Sequence, residues 1–500
     1  MSIKEIAGKL LASWVYSTTS KWKNNPVQTQ KKTLKRIIQQ AEQTQFGMDH
    51  DFKNIRSYAD FRDLVPVRDY EGLKPYIEKM VKGEEDVLWP GKPIYLSKTS
   101  GTTSGAKYIP LTKDSLPYHI KAARDAILHY AYHSGKTSFI NGKMIFLQGS
   151  PELDKSGAIP TGRLSGIVAH YVPSYLQSNR LPSFETNCID DWEEKVDAIV
   201  DETISQKMAV ISGIPPWVQM YFERLVEKSG KSSVSELFPS FSLFIYGGVN
   251  YKPYRSAMSK LIGKEVDSIE LYPASEGFIA YQDDYREEGL LLLLNSGIYY
   301  EFIPLEELGS SNPKRINIEE VEIGVNYLII LSTNAGLWGY NIGDTVRFVS
   351  LNPYRIVVSG RVKHYTSAFG EHVIAEEVEK AMAHAISECK VEVAEFHLAP
   401  EVNPAEGELP YHEWFIEFNS PASDLKRFTL LLNDRMCQLN SYYNDLIQGK
   451  IIQPLKIHSL SRGTFNAYMK SEGKLGGQNK LPRLANDRKL ADALIKIDQR

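Results

Sequence analysis

The chain has 500 residues, 42% hydrophobic and 24% charged, a globular composition too long for one ordinary core. Its formal charge of −3 gives no electrostatic reason to expect nucleic acid or a membrane as a partner. Cys188, Cys389 and Cys437 stand far apart and form neither a metal spacing nor a disulfide framework, which fits a reducing cytoplasm.

The first segment, "MSIKEIAGKLLASWVYSTTSKW", is interrupted by Lys4, Glu5 and Lys9, and its Ile3, Ile6, Leu10 and Trp14 recur at helical spacing. This predicts an amphipathic docking helix rather than a signal peptide. Residues 1–90 read as helical throughout, and "TQKKTLKRIIQQAEQTQFG" is an amphipathic helix expected to close on Gly47. Next comes "SKTSGTTSGAKYIPLT" (97–112), dense in hydroxyls and small residues. Taken alone it is either a mobile surface loop or a loop that wraps an anion with backbone N–H groups. Strand-like runs at 143–150, 207–216 and 241–249 then alternate with helical ones, "DWEEKVDAIVDETISQ" and "PPWVQMYFERLVEKSG", which argues for a parallel sheet with helices on its faces. In such sheets ligands sit beyond the carboxyl ends of the strands. Residues 286–360 are strand-rich and suggest a meander or small barrel. "LLLLL" at 290–294 is strand length and too short to span a membrane. A helix, a long hairpin and an amphipathic helix at 423–447 follow, so a domain boundary is placed near Arg361, dividing the chain into 1–360 and 361–500.

Two nucleotide motifs are absent. Gly101, Gly105 and Lys107 lack P-loop spacing, and "SGKTS" at 134–138 has Tyr130 where the first glycine belongs. The hydroxyl loop still has the materials for phosphate. Gly101 and Gly105 allow close backbone approach, Ser100, Thr102, Thr103 and Ser104 add hydroxyls, and Lys107 adds a charge. Three later stretches decide in favour of a ligand. "IYGGVNYKPY" ends a strand in Gly247-Gly248, where bare backbone suits a flat base. "IELYPASEG" delivers Tyr272, Ser275 and Glu276, and "GYNIGDTVRF" presents Asp344 in a turn after Gly343. A stacking face, a phosphate contact, a metal-facing carboxylate and an acceptor for vicinal hydroxyls make a nucleotide site with Mg²⁺.

This order of motifs resembles the adenylate-forming superfamily. The closer match is its branch of acyl acid–amido synthetases, the auxin-responsive Gretchen Hagen family, through "TSGTTSGAKYIPLT", "YPASEG", "YNIGD", "LNSYYNDL" and "RGTFNAYM...NKLPR" over roughly residues 60–485. "VSGRVKHYTSAFGEHV" keeps a superfamily-like hinge and gives the chain the look of a prokaryotic-type member. The resemblance implies an α/β fold with a large N-terminal domain of parallel-rich sheets and a small barrel, plus a smaller mobile α+β C-terminal domain. It implies an ATP- and Mg²⁺-dependent ligase that adenylates a small carboxylic acid and passes the acyl group to an amino acid. An acyl-CoA synthetase and a non-catalytic adenylate binder are the alternatives. Ser100, Gly101, Thr102, Thr103 and Gly105 would hold the β- and γ-phosphates, Gly247 and Gly248 would border the adenine, and Tyr272 would stack on it. Ser275 would contact the α-phosphate, Glu276 would bind Mg²⁺, and Asp344 would take the ribose hydroxyls. Arg361 and Lys363 would form the hinge, and Lys480 would close onto the α-phosphate.

Two further expectations concern the acyl pocket and the acceptor. The helix "DSLPYHIKAARDAILHYAY" walls an acyl pocket with Tyr118 and Leu128, with Arg124 at the surface or facing a substrate carboxylate. Glu371, Glu376, Glu377 and Glu379 form an acidic surface that disfavours coenzyme A.

Overall fold

The computed structural model describes residues 2–99, 107–171, 179–189, 191–248, 251, 254–308, 310, 313–361, 365–366, 368–369, 373–405, 408–419, 424–448, 452–476 and 480–499. They divide into two units, Met1–Gly248 with Lys264–Val357, and Val249–Gly263 with Val358–Arg500.

In the first unit, α1 (Ile3–Lys23) starts in a capping box between Ser2 and Glu5 and ends on Lys21 and Lys23, which suit the negative end of the helix dipole. It docks, but not on the face its large side chains predict. Gly8, Ala12, Val15 and Thr19 are buried, while Ile3, Ile6, Leu10 and Trp14 face solvent. Close approach is the reason: a Cβ on Gly8 would lie 2.5 Å from Ile140 Cδ1, so only small residues fit against the body. Helix α2 (Pro26–Ala41) buries Leu34, Ile37 and Ile38 and stops at Ala41 rather than Gly47. Gly47 lies inside the short α3 (Gln45–Asp49), where a Cβ would sit 2.1 Å from the Ala41 carbonyl oxygen. That glycine permits a close crossing instead of ending a helix.

Strands β1 (Tyr95–Thr99) and β2 (Lys107–Leu111) form an antiparallel pair closed at Thr99–Lys107. Along the chain follow β3 (Lys143–Phe146), β4 (Thr161–Gly162), β5 (Arg180–Leu181), β6 (Met208–Ser212), β7 (Leu243–Gly247) and β8 (Asp267–Ala274). The short β4 adds to β1 in parallel. Strands β5, β3, β6, β7 and β8 lie side by side, all parallel, as the alternating pattern predicts. The helices Trp192–Thr203 and Pro215–Ser229 supply the connections.

The strand-rich stretch forms β9 (Gly277–Tyr281), β10 (Leu290–Leu292), β11 (Ile298–Pro304), β12 (Asn326–Thr333), β13 (Tyr340–Leu351) and β14 (Tyr354–Arg361). Among the described residues these strands continue the parallel sheet on its antiparallel side, in the order β11-β12-β13-β14-β10-β9-β8, as the expected meander. The physical reason is that β10 is paired on both sides, with β9 and β14, so the meander joins the larger sheet.

The second unit opens with a ribbon of β15 (Tyr365–Thr366) and β16 (Val373–Ile374), followed by the helix Ala375–Cys389. The hairpin of β17 (Val393–Glu401) and β18 (Tyr411–Phe418) takes β19 (Lys456–Leu460) in parallel. The expected helix at 423–447 is two, Leu425–Leu439 and Ser441–Gln448. Asn440 breaks it: its Oδ1 accepts from Tyr443 N at 2.8 Å, capping the second helix, and its Nδ2 donates to Glu377 Oε2 at 3.0 Å. The helix Arg255–Ile262 also belongs here, although a division at Arg361 assigns it to the other part. Tyr254 donates to Glu395 Oε2 at 3.2 Å and meets Arg483, and Lys260 pairs with Glu392. Among the described residues no helix is long and apolar enough to cross a membrane.

Candidate active site

The site is built at the carboxyl ends of the parallel strands in the first unit. Gly247 pairs with Leu271 across β7 and β8, and a Cβ on it would lie 2.4 Å from the Leu271 carbonyl oxygen. Gly248 follows at φ +81°, a conformation that favours glycine. The next residue along β8 is Tyr272, a core residue that is also a candidate site residue. Its ring belongs to the main hydrophobic cluster, and its hydroxyl donates to Asp344 Oδ2 at 2.6 Å.

Asp344 does not sit in a turn. It lies within β13 and is buried, at a point where the register shifts between the pairs Leu328–Thr345 and Ile330–Asn341. Gly343, at φ +85°, makes the irregularity possible, and its N–H donates to Asn341 Oδ1 at 2.8 Å. A bulge of this kind re-aims a side chain, here onto Tyr272.

Ser275 and Glu276 form the turn between β8 and β9, both half-buried. Because a strand follows and not a helix, Glu276 has no helix to cap. The Ser275 hydroxyl lies 2.9 Å from the hydroxyl of Ser97, a fully buried residue of β1 that the sequence reading passed over. Two residues beyond Ser97, Thr99 pairs with Lys107 and closes the root of the hydroxyl loop. The Lys107 ammonium stands 5.4 Å over the Tyr70 ring, and Tyr70 accepts from Tyr108 N at 3.0 Å. Thus Ser97 ties the base of the loop to the Y-P-A-S-E turn. The loop residues themselves, Ser100, Gly101, Thr102, Thr103 and Gly105, lie outside the described residues. No periodic signal marked Ser97.

On the helix Leu116–Ser134, Leu128 is buried and Tyr118 half-buried. Arg124 is exposed and pairs with Asp125 at 2.7 Å, which supports its surface reading. Burial pushes the Asp125 carboxyl up, with Arg124 opposing.

In the second unit Arg361 ends β14, and Lys363 lies outside the described residues. Lys480 is exposed. Three residues on, Arg483 is buried and anchors that segment through Glu395 and Tyr254, with its guanidinium 4.4 Å over Phe396. Leu398 N donates to the Arg483 carbonyl at 2.9 Å and Ala485 N to that of Leu398 at 3.0 Å, so the segment runs along β17. The expected acidic surface is a misreading. Glu376 pairs with Lys380 at 2.7 Å, Glu379 approaches Arg483 at 3.8 Å, and Glu377 is held by Asn440 with its carboxyl pushed up by burial. Three of the four carboxylates are engaged within the unit, and Glu371 lies outside the described residues, so the charge argument against coenzyme A lapses.

Among the described residues no cluster of three or more His, Cys, Asp or Glu forms a cage for a metal ion. One turn carboxylate, Glu276, beside a serine is a fitting donor set for Mg²⁺, which keeps waters and binds nucleotide phosphates through one or two carboxylates.

Three models of one family match successive parts of the chain: the GH3 family N-terminal domain at 16–187, its central domain at 291–361 and its C-terminal domain at 376–489. The chain belongs to the GH3 family. It is 23% identical to the jasmonoyl–L-amino acid synthetase JAR4 of Nicotiana attenuata, over 91% of this chain and 90% of that protein. It is 21% identical to the indole-3-acetic acid-amido synthetase GH3.3 of Arabidopsis thaliana, over 91% and 88%. Among solved structures it resembles an acyl acid amido synthetase in complex with 2,4-DB, with a TM-score of 0.77, 17% identity and 97% and 96% coverage. A 2-hydroxyisobutyryl-CoA ligase in the postadenylation state follows with a TM-score of 0.61, 13% identity and 93% and 90% coverage. Both likenesses identify the α/β adenylate-forming fold, with a large N-terminal and a smaller C-terminal domain.

Proposed function

We propose that this GH3-family chain is an ATP-dependent, AMP-forming acyl acid–amido synthetase. The observation that carries the reading is the Tyr272–Asp344 hydrogen bond, which joins two motifs 72 residues apart beside Gly247 and Gly248. In the first half-reaction a substrate carboxylate oxygen bonds to the α-phosphorus of ATP, the bond to the β-phosphate breaks, and pyrophosphate leaves. Asp344 receives the ribose hydroxyls, Gly247 and Gly248 border the adenine, Tyr272 stacks on it, and Ser275 meets the α-phosphate. The loop of Ser100 to Thr103 with Gly105 meets the outgoing phosphates. Glu276 would hold Mg²⁺, which supplies charge neutralisation on those oxygens when bound. In the second half-reaction an amino acid nitrogen bonds to the acyl carbon, its proton passes to solvent, and AMP leaves. Residues 361–500 act as the mobile domain, hinged at Arg361 and Lys363, and bring Lys480 to the α-phosphate in the first step. The free thiols of Cys188, Cys389 and Cys437 support action in a reducing cytoplasm.

The test is ATP–pyrophosphate exchange with pooled carboxylic acids, followed by mass spectrometry with amino acids and coenzyme A both present. Exchange and an acyl-amino acid product are expected, with Glu276→Gln and Asp344→Asn inactive yet folded. Wild-type exchange in either variant would refute the site. Acyl-CoA as the main product would replace the acceptor and leave the adenylation site standing.

A further inference from the structure

Helix α1 has two faces of opposite character. One is pinned to the body. Gly8, Ala12, Val15 and Thr19 are buried, Asn141 Nδ2 donates to Glu5 Oε1 at 2.6 Å, Thr19 Oγ1 lies 3.1 Å from His129 Nε2, and Lys23 pairs with Asp283 at 3.3 Å. On the other face Ile3, Ile6, Leu10, Leu11 and Trp14 are 87%, 49%, 69%, 42% and 58% exposed. At helical spacing Ile3, Ile6, Leu10 and Trp14 make one stripe about 16 Å long, widened by Leu11. Contiguous apolar exposure of this kind marks an interaction surface.

Charge identifies the partner. Residues 1–40 hold eight Lys or Arg and a single acid, Glu5, whereas the whole chain carries −3. Glu5 is engaged in the capping box and by Asn141, and Lys23 by Asp283, which leaves Lys4, Lys9 and Lys21 around the stripe. The expectation of no membrane partner rests on net charge, and net charge averages this asymmetry away.

We propose that α1 lies on an anionic lipid surface, with the Ile3–Trp14 stripe in the headgroup–acyl boundary and Lys4, Lys9 and Lys21 at lipid phosphates. Apolar residues with Trp on one face and lysines beside them are the pattern of an interfacial helix. A second copy of the chain fits less well. A two-fold contact would gather both sets of lysines along one seam, and five side chains fall short of the roughly 20–30 residues a side in a stable interface.

The test is co-sedimentation of the full chain with phosphatidylcholine vesicles, plain or containing about 30 mol% phosphatidylglycerol. Binding to the anionic vesicles, weakened by about 0.5 M salt, is expected. Leu10→Glu with Trp14→Glu should reduce it at least ~10-fold, and Lys4→Gln, Lys9→Gln and Lys21→Gln together should reduce it toward the level on neutral vesicles. All five positions are exposed and outside the site, so melting and activity in solution stay unchanged. No wild-type binding to anionic vesicles overturns the proposal, as does undiminished binding by the Leu10/Trp14 variant. Sedimentation velocity showing a dimer that Leu10→Glu dissociates would assign the stripe to a second copy instead.

Discussion

A tyrosine hydroxyl fixes the orientation of the Asp344 carboxylate. Facing water in a turn, that carboxylate would be ordinary; buried in a bulge and accepting from Tyr272, it has one oxygen fixed. Hydrogen bonds to charged groups contribute about 1.5–3 kcal/mol. Tyr272→Phe keeps the ring and removes the donor, so the apparent ATP KM should rise roughly 10-fold, with kcat changed less. Exchange rates against ATP concentration measure this, and a wild-type KM would mean the hydroxyl does not position Asp344. Tyr272, Ser275, Glu276 and Asp344 were legible because short-range chemistry marks each of them: a turn, a glycine, an aromatic before a hydroxyl. Ser97 was not. A serine inside a strand carries no local mark, and its bond to Ser275 spans 178 residues.

At the scale of the element, the helix Leu116–Ser134 carries a pH dependence through two buried histidines, His119 and His129, the second of which meets Thr19 at the junction with α1. Burial pushes His129 and His119 each down to about 4. Both are therefore neutral in the folded state at pH 7. Below about 6.5 the unfolded chain takes up protons that the folded chain refuses until near pH 4, so stability is present at neutral pH and lost on acidification. Each histidine contributes a slope of about 1.4 kcal/mol per pH unit in that window, as an upper bound. Urea midpoints between pH 7 and 4.5 should fall, and His129→Gln should flatten part of that fall, the rest belonging to His119 and to His50 and His133, which burial also pushes down. An unchanged slope in that variant would place the acid sensitivity elsewhere. The same junction shows why hydrophobic periodicity misread α1. Periodicity finds large side chains, whereas the distance to Ile140 selects small ones.

Across the whole molecule, two half-reactions with different nucleophiles need one group at the α-phosphate in the first and not in the second. We give this role to Lys480, which is exposed and lies three residues before the anchored Arg483. Lys480→Ala should abolish pyrophosphate exchange yet still consume synthetic acyl-adenylate plus amine at near wild-type rate. Equal loss in both assays would show that the lysine serves both steps.

What the amino-acid sequence determined by itself was family, chemistry and the alternation of strands and helices. These are carried by local patterns: glycines where backbone must approach closely, carboxylates at fixed offsets, and side-chain periods of two or 3.6. The tertiary structure alone decided which parts meet. It turned the stripe of α1 outward, drew Val249–Gly263 into the second unit and engaged Glu376, Glu377 and Glu379 in contacts within that unit. It also ran the strand-rich segment on as the second half of one sheet and set Ser97 against Ser275. Each of these depends on a contact distance between residues far apart in the chain, and no local pattern encodes such a distance.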